Sequence, residues 1–121
     1  YWLEVPLEVL RRLPYAADDR RDGIRGLAFA MRNVAPLLLM CDRRDLGLSV
    51  EAGDEAAPGA GGPGRGGFEA AADGDTPRIF LYDAFPGGIG FSAPLFGMHR
   101  ELLEQTRALV EGCGCESGCP T

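Results

Sequence analysis

Arg78-Ile-Phe-Leu-Tyr-Asp83, followed after two residues by Pro86-Gly-Gly-Ile-Gly90, decides the architecture of this chain. The first six residues form a short aromatic and β-branched run with a turn behind it, which is the pattern of a strand. The glycine-rich stretch that follows is a loop. Beyond it, Leu95, Phe96, His99, Leu102, Leu103, Thr106, Leu109 and Val110 recur at helical spacing and define the inner face of a helix over residues 92–110. Gly112 stands where a left-handed C-cap belongs. Strand, glycine loop and amphipathic helix therefore form one continuous unit.

Upstream, Ile24, Leu27, Ala28, Met31, Ala35 and Leu38 give a second apolar face and predict a helix over residues 23–40. Pro36 lies inside it and predicts a kink or break near Val34–Pro36, because proline removes a helical hydrogen bond. Asp18 to Asp22 reads as a charged turn before this helix. Leu37-Leu-Leu-Met-Cys41 is apolar on every side and is expected to be buried. Leu48-Ser-Val50 is a candidate short strand. In the opening segment, Trp2, Val5, Val9 and Leu10 have rough helical spacing, Tyr1 to Leu3 also suits the end of a strand, and Pro6 suits a first helical turn. Residues 51–77 are dominated by Ala, Gly and Pro, a composition that cannot bury enough surface to offset chain entropy. They read as a flexible, disordered insert within a single domain spanning residues 1–121. The fold class is α+β: short strands packed on two long helices, with a cysteine knuckle at the C-terminal end.

The chain has 121 residues, 45% of them apolar and 25% charged, which is ordinary globular composition with room for one modest core. Its net charge is −6 and it contains no lysine. Phosphate neutralisation needs clustered cations, so this balance argues against a nucleic-acid surface carried by this segment alone. No apolar run is long enough to span a membrane, and the first residues have no signal-peptide pattern.

Three of the four cysteines lie in Cys113-Gly-Cys-Glu-Ser-Gly-Cys-Pro-Thr121. The C-x-C-x3-C spacing lets one tight loop present several thiolates to one ion, with Gly114 and Gly118 freeing the backbone. Zinc in structural sites takes four tetrahedral ligands and favours thiolates. An iron–sulfur cluster also uses four thiolates, but the compact spacing beside a helix favours zinc. Disulfides fit less well, because Cys113 and Cys115 are too close to pair easily and Cys41 sits in an apolar run. The cluster thus points to a metal and to a reducing, cytoplasmic compartment. Cys113, Cys115 and Cys119 are the candidate ligands. A fourth would be Cys41 or His99 within the chain, or a residue beyond Thr121.

Other residues read more plainly. His99 is expected to be a helix residue satisfied by water or a backbone carbonyl. Cys41 is expected to be a small buried apolar group. Asp83, Pro86, Gly87, Gly88 and Gly90 form a structural loop in which Asp83 accepts backbone N–H bonds. A phosphate site at a helix N-terminus is conceivable there, yet the loop is neither a Walker A motif nor a full dinucleotide fingerprint. Asp42-Arg-Arg-Asp45 reads as a solvated turn. The chain offers no nucleophile–base pair and no carboxylate dyad.

Taken in order, Val34-Ala-Pro-Leu-Leu-Leu-Met-Cys-Asp-Arg-Arg-Asp-Leu46, Leu81-Tyr-Asp-x-x-Pro-Gly-Gly-x-Gly90 and Cys113-x-Cys-Glu-x-Gly-Cys-Pro120 resemble the C-terminal domain of MrfA/YprA-type DEAD/DEAH-box helicases. The resemblance covers roughly residues 20–121. The family's cysteine motif is similar to C-x-C-x-x-G-C-P-x-C, and its four cysteines bind zinc. Three map onto Cys113, Cys115 and Cys119, and the fourth would follow Thr121. The resemblance implies a structural Zn2+, an upstream helicase core in the same polypeptide that uses ATP and Mg2+, contact with DNA through that parent, and a role in DNA repair. The expected function is therefore an accessory module that braces the motor or guides DNA. The alternative is an interaction or scaffold domain of an anti-phage defence complex without its own motor. A third reading is an enzyme holding a phosphate on the Asp83–Gly90 loop.

Overall fold

The computed structural model describes residues 1–51, 76–85 and 87–115. Three antiparallel strands form one sheet in the order β1-β3-β2: β1 (Trp2–Glu4), β2 (Leu46–Glu51) and β3 (Arg78–Asp83). β3 occupies the six residues that the sequence marks as a strand. It is central because both its neighbours pair with it, Ile79 lying opposite Leu3 on one side and Val50 on the other. The helices are α1 (Leu7–Arg11), α2 (Ala17–Leu39), α3 (Ser92–Gly97) and α4 (His99–Glu111), with a 3₁₀ turn over Arg43–Asp45. The architecture is α+β, as expected.

α2 and α4 pack on each other, and α2 also packs on the sheet. Ile24, Ala28, Met31, Val34 and Ala35 from α2 meet Leu46, Ile79 and Leu81 from the sheet and Leu95 and Leu102 from the last two helices. Met31, Ile79, Leu81, Leu95 and Leu102 are fully buried. Thr106 is buried as well, and its hydroxyl donates to the Leu102 carbonyl at 2.6 Å, so the polar group enters the core satisfied.

Several sequence expectations need correction. Asp18 to Asp22 is not a turn but the first stretch of α2, where Asp18 and Asp19 complement the positive end of the helix dipole. Ion pairs Arg21–Asp18 at 3.3 Å and Arg25–Asp22 at 3.4 Å add local support. α2 also runs unbroken through Pro36. The proline falls in the last turn, so one backbone bond is forgone while its ring is buried. The helix ends instead at Met40, in left-handed conformation with φ 54°, as the Cys41 N–H turns back to the Pro36 carbonyl at 3.1 Å. Consequently Leu37 and Met40 lie outside: they are 74% and 92% exposed, not buried.

The second expected helix is in fact two. α3 and α4 are separated at Met98, and Gly112 has φ −78°, a right-handed rather than left-handed cap. Phe96, Leu109 and Val110 are exposed, so the inner face narrows to Leu95, Leu102, Leu103 and Thr106. At the other end of the chain the strand alternative for Tyr1 to Leu3 holds, with Trp2 on β1, while Pro6 caps α1 from outside. The insert expected over residues 51–77 is bounded more tightly. Glu51 closes β2, and Pro77 is buried and accepts a hydrogen bond from Val5 at 3.0 Å. Residues 52–75 lie outside the described residues.

Leu102→Ala should therefore cost about 2–5 kcal/mol in urea unfolding, whereas Leu37→Ala should stay within about 0.5 kcal/mol despite removing the same side chain.

Candidate metal centre

α4 ends at Glu111, and the cysteine loop begins two residues later. Gly112 N–H donates to Ala108 O at 2.9 Å, and Cys113 N–H to Val110 O at 3.2 Å, so the chain leaves the helix in a tight final turn. A Cβ at Gly112 would sit 3.1 Å from the Ala108 carbonyl, which makes the glycine a close-packing choice here. Cys113 and Cys115 are exposed at this end of the helix. The C-terminal end of a helix carries partial negative charge, which disfavours bare thiolates and favours a cation that neutralises them. The donor chemistry of Cys113 and Cys115 therefore fits a thiophilic metal such as zinc. Cys119 lies outside the described residues, and no group of three metal-ligating side chains is assembled among the described ones.

The fold separates the two in-chain candidates for a fourth ligand from Cys113. His99 opens α4, and at 1.5 Å rise per residue it stands about 20 Å from Cys113 along the axis. It is exposed, and its Nδ1 lies 3.1 Å from the Phe96 carbonyl, the backbone partner expected for it. Cys41 lies past the far end of α2. Cys113 shares an apolar groove with residues from Gly23 to Asn33, along the middle of α2. Asn33, the nearest of these to Cys41, is still about 12 Å of helix away from it. Cys41 instead packs at the edge of the core. Partial burial, and then the carboxylates of Asp45, Asp42 and Asp83, push its thiol above the ordinary cysteine value.

The glycine loop is the second candidate. Asp83 ends β3, and its Oδ1 accepts N–H bonds from Ile89 at 3.1 Å and Phe91 at 3.4 Å. Gly87, Gly88 and Gly90 have φ of 90°, 44° and 82°, which side chains rarely adopt. At Gly88 a Cβ would also stand 3.0 Å from the Asp83 carboxyl. The loop thus winds around its own carboxylate, which occupies the place an external anion would take. The backbone donors expected for Asp83 are present, and Pro86 lies outside the described residues. Nearby, Asp42 and Asp45 cap the 3₁₀ turn reciprocally: Arg44 N–H donates to Asp42 at 2.8 Å and Asp42 N–H to Asp45 at 3.1 Å. The Ala84 N–H donates to the Asp45 carbonyl at 2.8 Å and locks this turn to the glycine loop.

The model of the MrfA zinc-binding domain matches residues 27–121, from the middle of α2 through the last cysteine. The chain belongs to the MrfA zinc-binding domain family. The domain is 30% identical over 96 residues to the ATP-dependent helicase YprA of Bacillus subtilis (strain 168), covering 79% of this chain and 10% of that protein. Its fold matches the crystal structure of the DUF1998 helicase MrfA bound to DNA with a TM-score of 0.67 and 26% identity, over 98% of this chain and 13% of that one. A shorter stretch of 41 residues is 39% identical to the Druantia protein DruE of Escherichia coli (strain UMEA 4076-1), covering 34% of this chain and 2% of that protein. This MrfA zinc-binding domain therefore spans about a tenth of the length of the helicases it matches. No helix among its described residues is long and apolar enough to cross a membrane.

Asp83→Ala should lower stability by about 1–3 kcal/mol, because two backbone donors lose a charged acceptor; a thermal melt of the purified variant checks it. Cys41 should alkylate more slowly than Cys113 or Cys115 in metal-free protein at mildly alkaline pH, because a raised pKa leaves less thiolate; peptide mass mapping over time measures the order.

Proposed function

We propose that these 121 residues form one structural zinc module of an ATP-dependent DNA helicase. Its zinc is held by Cys113, Cys115 and Cys119, with a fourth thiolate carried past Thr121 by the same polypeptide. The observation that supports this reading best is the fold match to a DNA-bound helicase over 98% of the chain, joined to a family model that reaches the cysteines. ATP and Mg2+ belong to the motor core, and the module contributes no catalytic group. Its negative charge suits contact with the motor rather than with phosphates. In a cytoplasmic repair helicase it would brace the core so that translocation along DNA is transmitted without loss of alignment.

Zinc is what closes the C-terminal loop. Four thiolates gathered by one ion convert binding free energy into folding free energy, and the loop is then fixed to the end of α4. The polypeptide carrying this domain should hold one zinc per chain by elemental analysis and should unwind a DNA duplex only with ATP. Cys115→Ser should release the metal and destabilise the domain far more than Cys41→Ser, which should cost about 1–3 kcal/mol. Iron with visible absorbance, or no metal, would contradict the zinc site. A polypeptide with no ATP-dependent unwinding would favour the scaffold alternative.

A further inference from the structure

The outer face of the sheet carries aromatic side chains where solvent-facing positions are usually polar. Directly opposed residues on an antiparallel sheet share a face, and Trp2 opposes Phe80, Phe80 opposes Ser49, and Tyr82 opposes Gly47. Their neighbours Leu3, Leu48, Ile79 and Leu81 point the other way, into the core. Trp2 is 63% exposed and Tyr82 49%. Gly47 is what lets the Tyr82 ring settle over β2, because a Cβ there would overlap the ring itself.

These side chains surround a shallow hollow of about 330 Å³ whose lining includes Trp2, Ser49, Glu51, Phe80 and Tyr82. A charged row borders it: Arg78 Nε lies 2.9 Å from Glu4, and Arg78 Nη1 lies 3.7 Å from Glu51. One guanidinium between two carboxylates leaves the row with net negative charge. Aromatic walls with a carboxylate at the rim suit a guanidinium, which stacks on ring faces while its N–H groups reach the acid. A phosphate would be repelled by the net charge of this row, and a purely apolar group would desolvate the Arg78–Glu51 pair, whose 3.7 Å separation leaves Glu51 room for a second donor.

We propose that this face docks an arginine presented by the helicase polypeptide outside these 121 residues. The inference rests on the helicase-module reading above. This chain covers 10% of YprA and 13% of MrfA, so nearly all the surface of such a polypeptide lies elsewhere. An exposed aromatic patch rimmed by charge is how a domain embedded in a long chain meets its neighbours.

Hydroxyl-radical footprinting of the intact helicase and of the 121-residue chain tests this directly. Trp2 and Tyr82 should label about fivefold less in the intact helicase without DNA, because a docked partner excludes water from the patch. Phe96, on α3, serves as the internal reference. Glu51→Gln keeps the shape and removes the charge, so it should restore Tyr82 labelling in the helicase and leave the short chain unchanged. Equal labelling of Trp2 in both proteins overturns the proposal, as does protection that appears only when a single-stranded DNA oligonucleotide is added, which would assign the face to nucleic acid. The same preparations are assayed for zinc and unwinding. A helicase that has both but an unprotected Trp2 refutes the docking face alone, whereas loss of both refutes the module reading.

Discussion

The pairing of β3 with strands on both sides is the constraint on which the rest of this domain depends. An edge strand could tolerate one exposed face and one unpaired backbone edge. A central strand cannot, and here its two inward side chains, Ile79 and Leu81, are also fully buried. β1 and β2 are short and far apart in sequence, and each has a place only because β3 supplies backbone donors and acceptors to it. α2 then lies across the inner face and α4 across α2, so that one continuous core reaches from the sheet to the helix bearing the cysteines.

This layering puts the two conspicuous motifs at different ends of the helices. The Asp83 loop closes the C-terminal end of β3 and is held by its own carboxylate and by Asp45 on the 3₁₀ turn. Cys113 and Cys115 follow the C-terminal end of α4, and Cys113 lies beside the middle of α2. The loop is therefore a structural corner, and the thiols of Cys113 and Cys115 belong to the end of α4. A ligand set that included His99 would need to bridge a helix of 13 residues, which is why His99 does not join Cys113.

Much of the fold was legible because strong local signals coincide with it. Arg78–Asp83 is a strand in sequence and in space, Asp83 caps the loop as its spacing implied, and the glycines at 87, 88 and 90 have the positive φ that only they adopt cheaply. The apolar positions that differ share one cause, that hydrophobicity alone does not fix burial. Leu37, Met40, Phe96, Leu109 and Val110 are apolar but exposed, since the direction a helical side chain faces depends on what packs against that helix. Trp2 fits a strand or a helix in the sequence alone, because a three-residue strand leaves no period to read.

By itself the sequence determined the strand–loop–helix unit, the apolar stripe of α2, and a cysteine spacing that suits a thiophilic metal. These are matters of local conformation and of ligand chemistry, and both are written in residue type and spacing. Only the tertiary structure decided that α2 continues through Pro36, that the last helix divides at Met98, and that Trp2, Phe80 and Tyr82 share one open face. Each depends on contacts between residues distant in sequence, where the burial of one element settles what its partner must expose.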